Sequence, residues 1–253
     1  MLRLITSDTN TIKRVPFIPN DILDDYAQDI LYDAMPDRLK SPEPVGIEKF
    51  LEFYLGLNVV FKQIRYDRKI LGLTAFNDGY VKVVDERTGK IVSMWVTAGT
   101  VILDTSLAVK RNERYLRFTC AHEGSHWLLH RDYFKPKNIC RYDSRFDNQF
   151  LAAAEGYVDY KRLKLQKTDL DRMEWQANFL ASALLMSRPA LRIAYRNFFH
   201  SFGLKPRKQI IRGASEADMM YEKLLPEDIA SKFNVSKRAA AIRLEKLYAI
   251  VDN

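Results

Sequence analysis

Three side chains in one short stretch can do chemistry together. His122, Glu123 and His126 stand in His122-Glu123-Gly124-Ser125-His126, which has the form H-E-x-x-H. Residues four apart on a helix share a face, with Cβ atoms roughly 5–6 Å apart. Both imidazoles can therefore reach one zinc ion. Glu123 can stay off the ion, stand beside a water bound there and accept its proton. Five residues alone are only moderately specific, since a surface helix can carry two unrelated histidines. The context favours a metal. Of four histidines in the chain, His122, His126 and His130 fall at successive i+4 positions. Phe118, Ala121, Leu128 and Leu129 make the rest of the segment apolar, and Trp127 adds bulk.

A catalytic zinc held by two histidines needs a further protein ligand and one open position for water. His130 does not supply it, because a rise of about 1.5 Å per residue puts it about 12 Å along the axis from His122. It is expected to cap the helix end or to support a ligand from behind. His200, beside Phe198, Phe199 and Phe202, reads as a partly buried member of an aromatic cluster. Glu155 and Glu174 both fall on expected helices. Glu174 is better placed, because Ala177, Ala181 and Leu184 let its helix pack closely on the metal helix, and Asn178 shares its face one turn on. The residue types favour Glu174 and leave Glu155 open. Cys120 lies about 200° around the helix from His122 and reads as a small core residue.

These residues need elements to hold them. Residues 1–19 read as an irregular arm, since Pro16 and Pro19 stop a helix. Asn20 or Asp21 can cap a helix with apolar positions Ile22, Leu23, Tyr26, Ile30, Leu31 and Met35. After a break at Ser41-Pro42-Glu43-Pro44, a short helix is expected from Ile47 to Leu55. The period then changes. Strands are expected over Asn58–Arg65, Ile70–Phe76, Tyr80–Asp85, Ile91–Val96 and Thr100–Asp104, with turn signals at Asn77-Asp78-Gly79 and Glu86-Arg87-Thr88-Gly89. Short connections between consecutive strands argue for an antiparallel, twisted sheet. The metal helix is expected to begin near residues 110–114.

Arg131–Asn148 reads as a surface loop, long enough to cover a cleft. Phe150–Leu165 has helical periodicity. Thr168 or Asp169 can cap a helix over Leu170–Met186, which Ser187-Arg188-Pro189 ends or bends, and residues 190–203 form another amphipathic helix. From Pro226 the chain has helix–turn–helix grammar: Pro226 at a helix start, Asn234 able to take a left-handed turn, and Ser236 capping the second helix.

The chain has 253 residues, 47% of them hydrophobic and 12% aromatic, enough for a sizeable core. Its apolar runs are too short to span a membrane, and Met1–Asp8 lacks the apolar region of an export signal. With only Cys120 and Cys140, a cytoplasmic protein with free thiols is expected. The net charge is +8, and residues 188–253 carry 13 basic and 7 acidic groups. That basic balance suits nucleic acid, an acidic partner or simply a solvated helical surface.

Two longer stretches carry a resemblance. Arg117-Phe118-Thr119-Cys120-Ala121-His122-Glu123-x-x-His126-Trp127-Leu128-Leu129-His130 is followed downstream by Glu174-x-Gln176-Ala177-Asn178-Phe179-Leu180-Ala181-x-x-Leu184-Leu185-Met186. Together they resemble the ImmA/IrrE family of HExxH metallo-endopeptidases. The likeness extends to Ile70-Leu71-Gly72, to Gly99-Thr100-Val101-Ile102-Leu103-Asp104, and to Val235-Ser236-x-x-Ala239-x-x-x-Arg243-Leu244-x-x-Leu247. It implies an α+β fold, with a small antiparallel twisted sheet packed against a helical zincin-like core (residues 20–203) and a helix–turn–helix-like tail (204–253). It also implies that His122, His126 and Glu174 bind zinc, with manganese able to share such ligands, and that Glu123 is the general base. The implied partner is a protein substrate, a co-encoded helix–turn–helix repressor, whose cleavage releases mobile-element or stress-response genes.

The chain departs from that pattern twice. Gly124-Ser125 replaces a large residue followed by glycine, and Ser187 replaces a proline. By analogy alone, a substrate strand is expected to pair with a sheet edge near Val101–Asp104. Two rival functions stand beside the peptidase. One is a DNA- or protein-binding regulator whose metal site is structural or relict, favoured by the basic tail. The other is a zinc hydrolase acting on a non-peptide bond.

Overall fold

The computed structural model describes residues 15–134, 169–206, 209–212, 220–247 and 249–252. Most of the arm, the greater part of the 131–148 segment, the 150–165 helix with Glu155, and Cys140 lie outside them.

Helix α1, Asn20–Ala34, buries Leu23, Ala27, Ile30 and Leu31 on one stripe, as its 3.6-residue period requires. Its N-cap is Pro19 with no side-chain bond, so Asn20 and Asp21 lie inside the helix rather than capping it. Helix α2 begins as an α-turn, Ile47–Lys49, and continues as a π-helix, Phe50–Tyr54. Five strands follow: β1 (Asn58–Phe61), β2 (Gly72–Thr74), β3 (Gly79–Val84), β4 (Ile91–Val96) and β5 (Thr100–Leu103).

The sheet is mixed, in the order β1-β5-β2. β2 runs antiparallel to β5 and β1 runs parallel to it, with Val59 opposite Val101 and Leu73 opposite Ile102. β3 and β4 leave this sheet and pair with each other as a hairpin. The Asn77-Asp78-Gly79 signal therefore joins two strands that are not partners, and Asp78 instead accepts a hydrogen bond from the Ala98 amide at 2.8 Å. β5 takes the centre because Val101, Ile102 and Leu103 are wholly buried. The edge expected near Val101–Asp104 therefore does not exist; among the described residues, β1 and β2 form the edges of this sheet.

Helix α3, Glu113–Phe134, carries the H-E-x-x-H stretch. It runs four residues past His130, so the first part of the expected loop is helical. α4, Asp169–Leu185, packs along α3, with Asp169 and Asp171 in its first turn complementing the helix dipole. The chain breaks after Leu185 and restarts as α5, Arg188–Ser201, with Pro189 in its first turn.

The tail continues through β6 (Gln209–Arg212), the π-turn Met220–Leu224, α6 (Leu225–Phe233), α7 (Lys237–Leu247) and β7 (Ala249–Asp252), and β7 lies parallel to β6. Asn234 takes the left-handed conformation at φ 50° and ψ 54°, and Ser236 Oγ accepts from the Ala239 amide at 3.1 Å, the expected turn and cap. Ile229, Ala230, Phe233, Val235, Ala240 and Leu244 belong to the same apolar core as α1, α4 and α5. Arg243 is fully buried and bonds Asp24 of α1. Among the described residues, no helix is long and apolar enough to cross a membrane.

Candidate metal centre

His122 and His126 lie one turn apart on α3, and Glu174 faces them from α4. The two Nε2 atoms are 3.0 Å apart. Glu174 Oε2 is 3.3 Å from His122 Nε2, and Oε1 is 3.2 Å from His126 Nε2. Two ligands each about 2.0–2.1 Å from a tetrahedral zinc stand roughly 3.3 Å from one another. The separation of the two imidazole nitrogens, and the distance from each to its own Glu174 oxygen, lie close to that value. All three side chains are buried. Two imidazole nitrogens pointed at each other and at a buried carboxylate are most readily reconciled by a shared cation.

The acid and the imidazoles shift one another. Burial pushes the Glu174 carboxyl up, but the facing imidazoles of His126 and His122 outweigh it and hold the group below the usual carboxylate range. Burial pushes His122 down, and the Glu174 hydrogen bond and charge more than reverse that, so its pKa is raised. Glu123 is raised by burial, against the opposing pull of His122 and His126. Its Oε2 accepts from the Thr74 hydroxyl at 2.7 Å, while its Oε1 is buried and has no hydrogen-bond partner. A bare buried carboxylate oxygen costs about 1–3 kcal/mol or more, and a water in the open position of a metal would satisfy it. The donor set and this orphaned oxygen both fit a catalytic metal.

β2 places Glu123. A Cβ on Gly72 would stand 2.6 Å from Glu123 Oε1 and 2.7 Å from Thr119 Cγ2, so only glycine lets this strand lie so close to α3. Sequence reasoning missed Gly72 and Thr74 as site residues; a glycine within a strand was the one local sign of close approach.

Residues 81–245 match the model of the M78 peptidase family, the IrrE N-terminal-like domain. The chain belongs to the M78 peptidase family. No curated protein matches it. In this M78 peptidase, a Cβ at Gly124 would lie 3.2 Å from Leu51 Cδ1, so a small residue stands where α2 packs on α3. The Ser125 hydroxyl donates back to the Ala121 carbonyl at 2.7 Å. Ser187 donates to the Arg38 carbonyl at 3.3 Å, and its own carbonyl accepts from Leu191 to open α5.

The remaining candidates sort by position. His130 does not cap a helix end. It is buried behind His126, 3.0 Å from its Nδ1, and burial together with the neighbouring His126 imidazole lowers its pKa to about 3. His200 is exposed in the last turn of α5 rather than partly buried, because Phe198 and Phe199 take the inward face. Cys120 is buried in the core as expected, and burial raises its thiol pKa well above the ordinary range. Asn178, on the Glu174 face, accepts from His122 Nδ1 at 3.1 Å.

Proposed function

We propose that this M78 peptidase is a zinc-dependent endopeptidase in which His122, His126 and Glu174 hold the ion and Glu123 is the general base. The observation that carries the reading is the convergence of three buried donors at 3.0–3.3 Å beside the unpartnered Oε1 of Glu123. Zinc, when bound, would polarise the scissile carbonyl and acidify the attacking water. Glu123 takes the water's proton, and its raised affinity for protons suits it to carry that proton to the leaving amine. Thr74 holds the other Glu123 oxygen, which keeps the carboxylate pointed into the site. The free edge of β2, beside Glu123, is where an extended peptide would add as a strand.

In this reading residues 20–203 are the catalytic unit, acting in the cytoplasm on a helix–turn–helix repressor encoded beside the gene, and residues 204–253 dock that partner. Arg243 and Lys246 turn toward Asp24 and Phe179, which draws part of the tail's positive charge away from any DNA-facing surface.

The test is cleavage of that repressor by wild-type and Glu123→Gln protein, each loaded with zinc or with manganese. One discrete cut, lost in the variant, is expected. Equal cutting by both proteins would remove Glu123 from its role. No cutting by either, with metal bound, would favour a regulator with a structural metal.

A further inference from the structure

Behind His126 runs a line of polar contacts that no catalytic step uses. The Gln176 amide nitrogen donates to the Pro16 carbonyl at 2.6 Å. Gln176 Oε1 lies 3.0 Å from His130 Nε2. His130 Nδ1 lies 3.0 Å from His126 Nδ1. His126 Nε2 then faces His122 and Glu174. Gln176 and His130 are 1% and 2% exposed, so water does not compete for these contacts.

The line has a direction, and its far end sets it. A backbone carbonyl can only accept, so Gln176 must present its NH2 to Pro16. Reversed, two oxygens would stand 2.6 Å apart. Gln176 Oε1 is thereby turned to His130 and must accept from it, so His130 carries its proton on Nε2. A neutral imidazole has one N–H, which leaves His130 Nδ1 as a bare acceptor. Two bare nitrogens 3.0 Å apart would repel, so His126 carries a proton on Nδ1, which leaves Nε2 as the atom that can take a metal.

We propose that His130 and Gln176 are positioning residues that lock His126 in its Nδ1–H tautomer, with the Pro16 carbonyl as the fixed end of the line. This rests on the reading of His126 as a metal ligand. It opposes a specific competitor. With the proton on Nε2, His126 would donate to Glu174 Oε1 at 3.2 Å, and the two ligands would satisfy each other without a metal. On the other side, Asn178 Oδ1 imposes the same tautomer on His122 through one amide. The line also couples the site to the segment before α1, where Phe17 stacks on Trp175 at 5.9 Å and Arg172 bonds the Val15 carbonyl.

The test compares wild type with His130→Leu, which keeps bulk and removes the acceptor, His130→Asn, whose amide oxygen can replace Nδ1, and Gln176→Leu. Zinc affinity is measured by competition with a chromophoric chelator. The His126 tautomer is read in the metal-free protein from imidazole nitrogen chemical shifts. His130→Leu is expected to bind zinc on the order of 10- to 100-fold more weakly and to show His126 protonated on Nε2. His130→Asn is expected to restore most of the affinity, and Gln176→Leu to give mixed tautomers and a smaller loss.

Wild-type affinity and tautomer in folded His130→Leu would overturn the proposal, as would His130→Asn no better than His130→Leu. Should His130→Leu fail to fold, Gln176→Leu decides: unchanged tautomer and affinity there overturn it. The tautomer measurement needs no metal. A wild-type protein that binds no zinc would sink the peptidase reading, while a protonated or a bare Nδ1 on His126 would still support or overturn the relay.

Discussion

Asp24 and Arg243 join α1 to α7 by a buried ion pair, and its energetics can be worked from the surroundings. Arg243 is 0% and Asp24 3% exposed. The guanidinium gives Nη1 to Asp24 Oδ2 at 3.3 Å, Nη2 to Oδ1, and Nε to the Met186 carbonyl at 3.2 Å, with its carbon 5.5 Å over the Phe179 ring. Burial holds the Arg243 pKa below its usual value, and Asp24 offsets only part of that. Asp24→Leu leaves a fully buried cation with one neutral acceptor. Removing one partner of such a pair costs about 3–5 kcal/mol, and for a chain near this size each kcal/mol moves Tm by roughly 2–4 °C. A drop of about 6–20 °C is therefore expected. Arg243→Met strands the carboxylate instead and is expected to destabilise as well. The double variant, with neither charge, is expected to lie well above the sum of the singles and within about 2 kcal/mol of wild type. Denaturant unfolding of all four proteins measures the cycle. If the double variant loses as much as the two singles together, or Asp24→Leu costs under about 1 kcal/mol, the pair does not bind tail to core as described.

Two further outcomes follow from single contacts. Gly72→Ala puts a methyl 2.6 Å from Glu123 Oε1, so it is expected to cost about 1–3 kcal/mol in stability and, by moving the base, on the order of 100-fold in kcat/KM. Zinc affinity should stay near wild type, and undiminished repressor cleavage would refute the close approach. Lys246 has its pKa lowered to about 8, by burial and then by Arg243. Its native form loses its proton before its unfolded form does, so the cost of the charge is fully present below pH 8 and fades as pH rises toward 10.5. The Tm advantage of Lys246→Met over wild type, followed by calorimetry, should shrink between pH 7.5 and 10; an advantage that grows with pH would contradict it.

Much of the site was legible because its first requirement is local. Helical i, i+4 spacing alone puts His122 and His126 on one face, and residue types in the next buried helix pointed to Glu174. Less of the support was legible. His130 was excluded as a ligand by helix rise, yet nothing in its own segment said that Gln176 and Pro16 would line up behind it. The Asn234 turn and Ser236 cap were readable for the same local reason. The strand order was not, because strands adjacent in the chain need not pair, and the turn after β2 looked like that of a hairpin.

The sequence by itself determined the helix that aligns the two histidines, the carboxylate next to them, the caps and turns of the tail, and the amphipathic faces that had to be buried. All of these depend on residues within a turn or two of each other, where backbone geometry leaves little choice. Tertiary structure alone decided that β5 lies between β1 and β2, that Gly72 and Thr74 close over Glu123, that Pro16, Gln176 and His130 line up behind His126, and that Arg243 turns inward to Asp24. Those contacts join residues far apart in the chain. They are selected by which packing buries the most apolar surface while leaving the fewest polar groups unpaired, a condition met only by the whole fold at once.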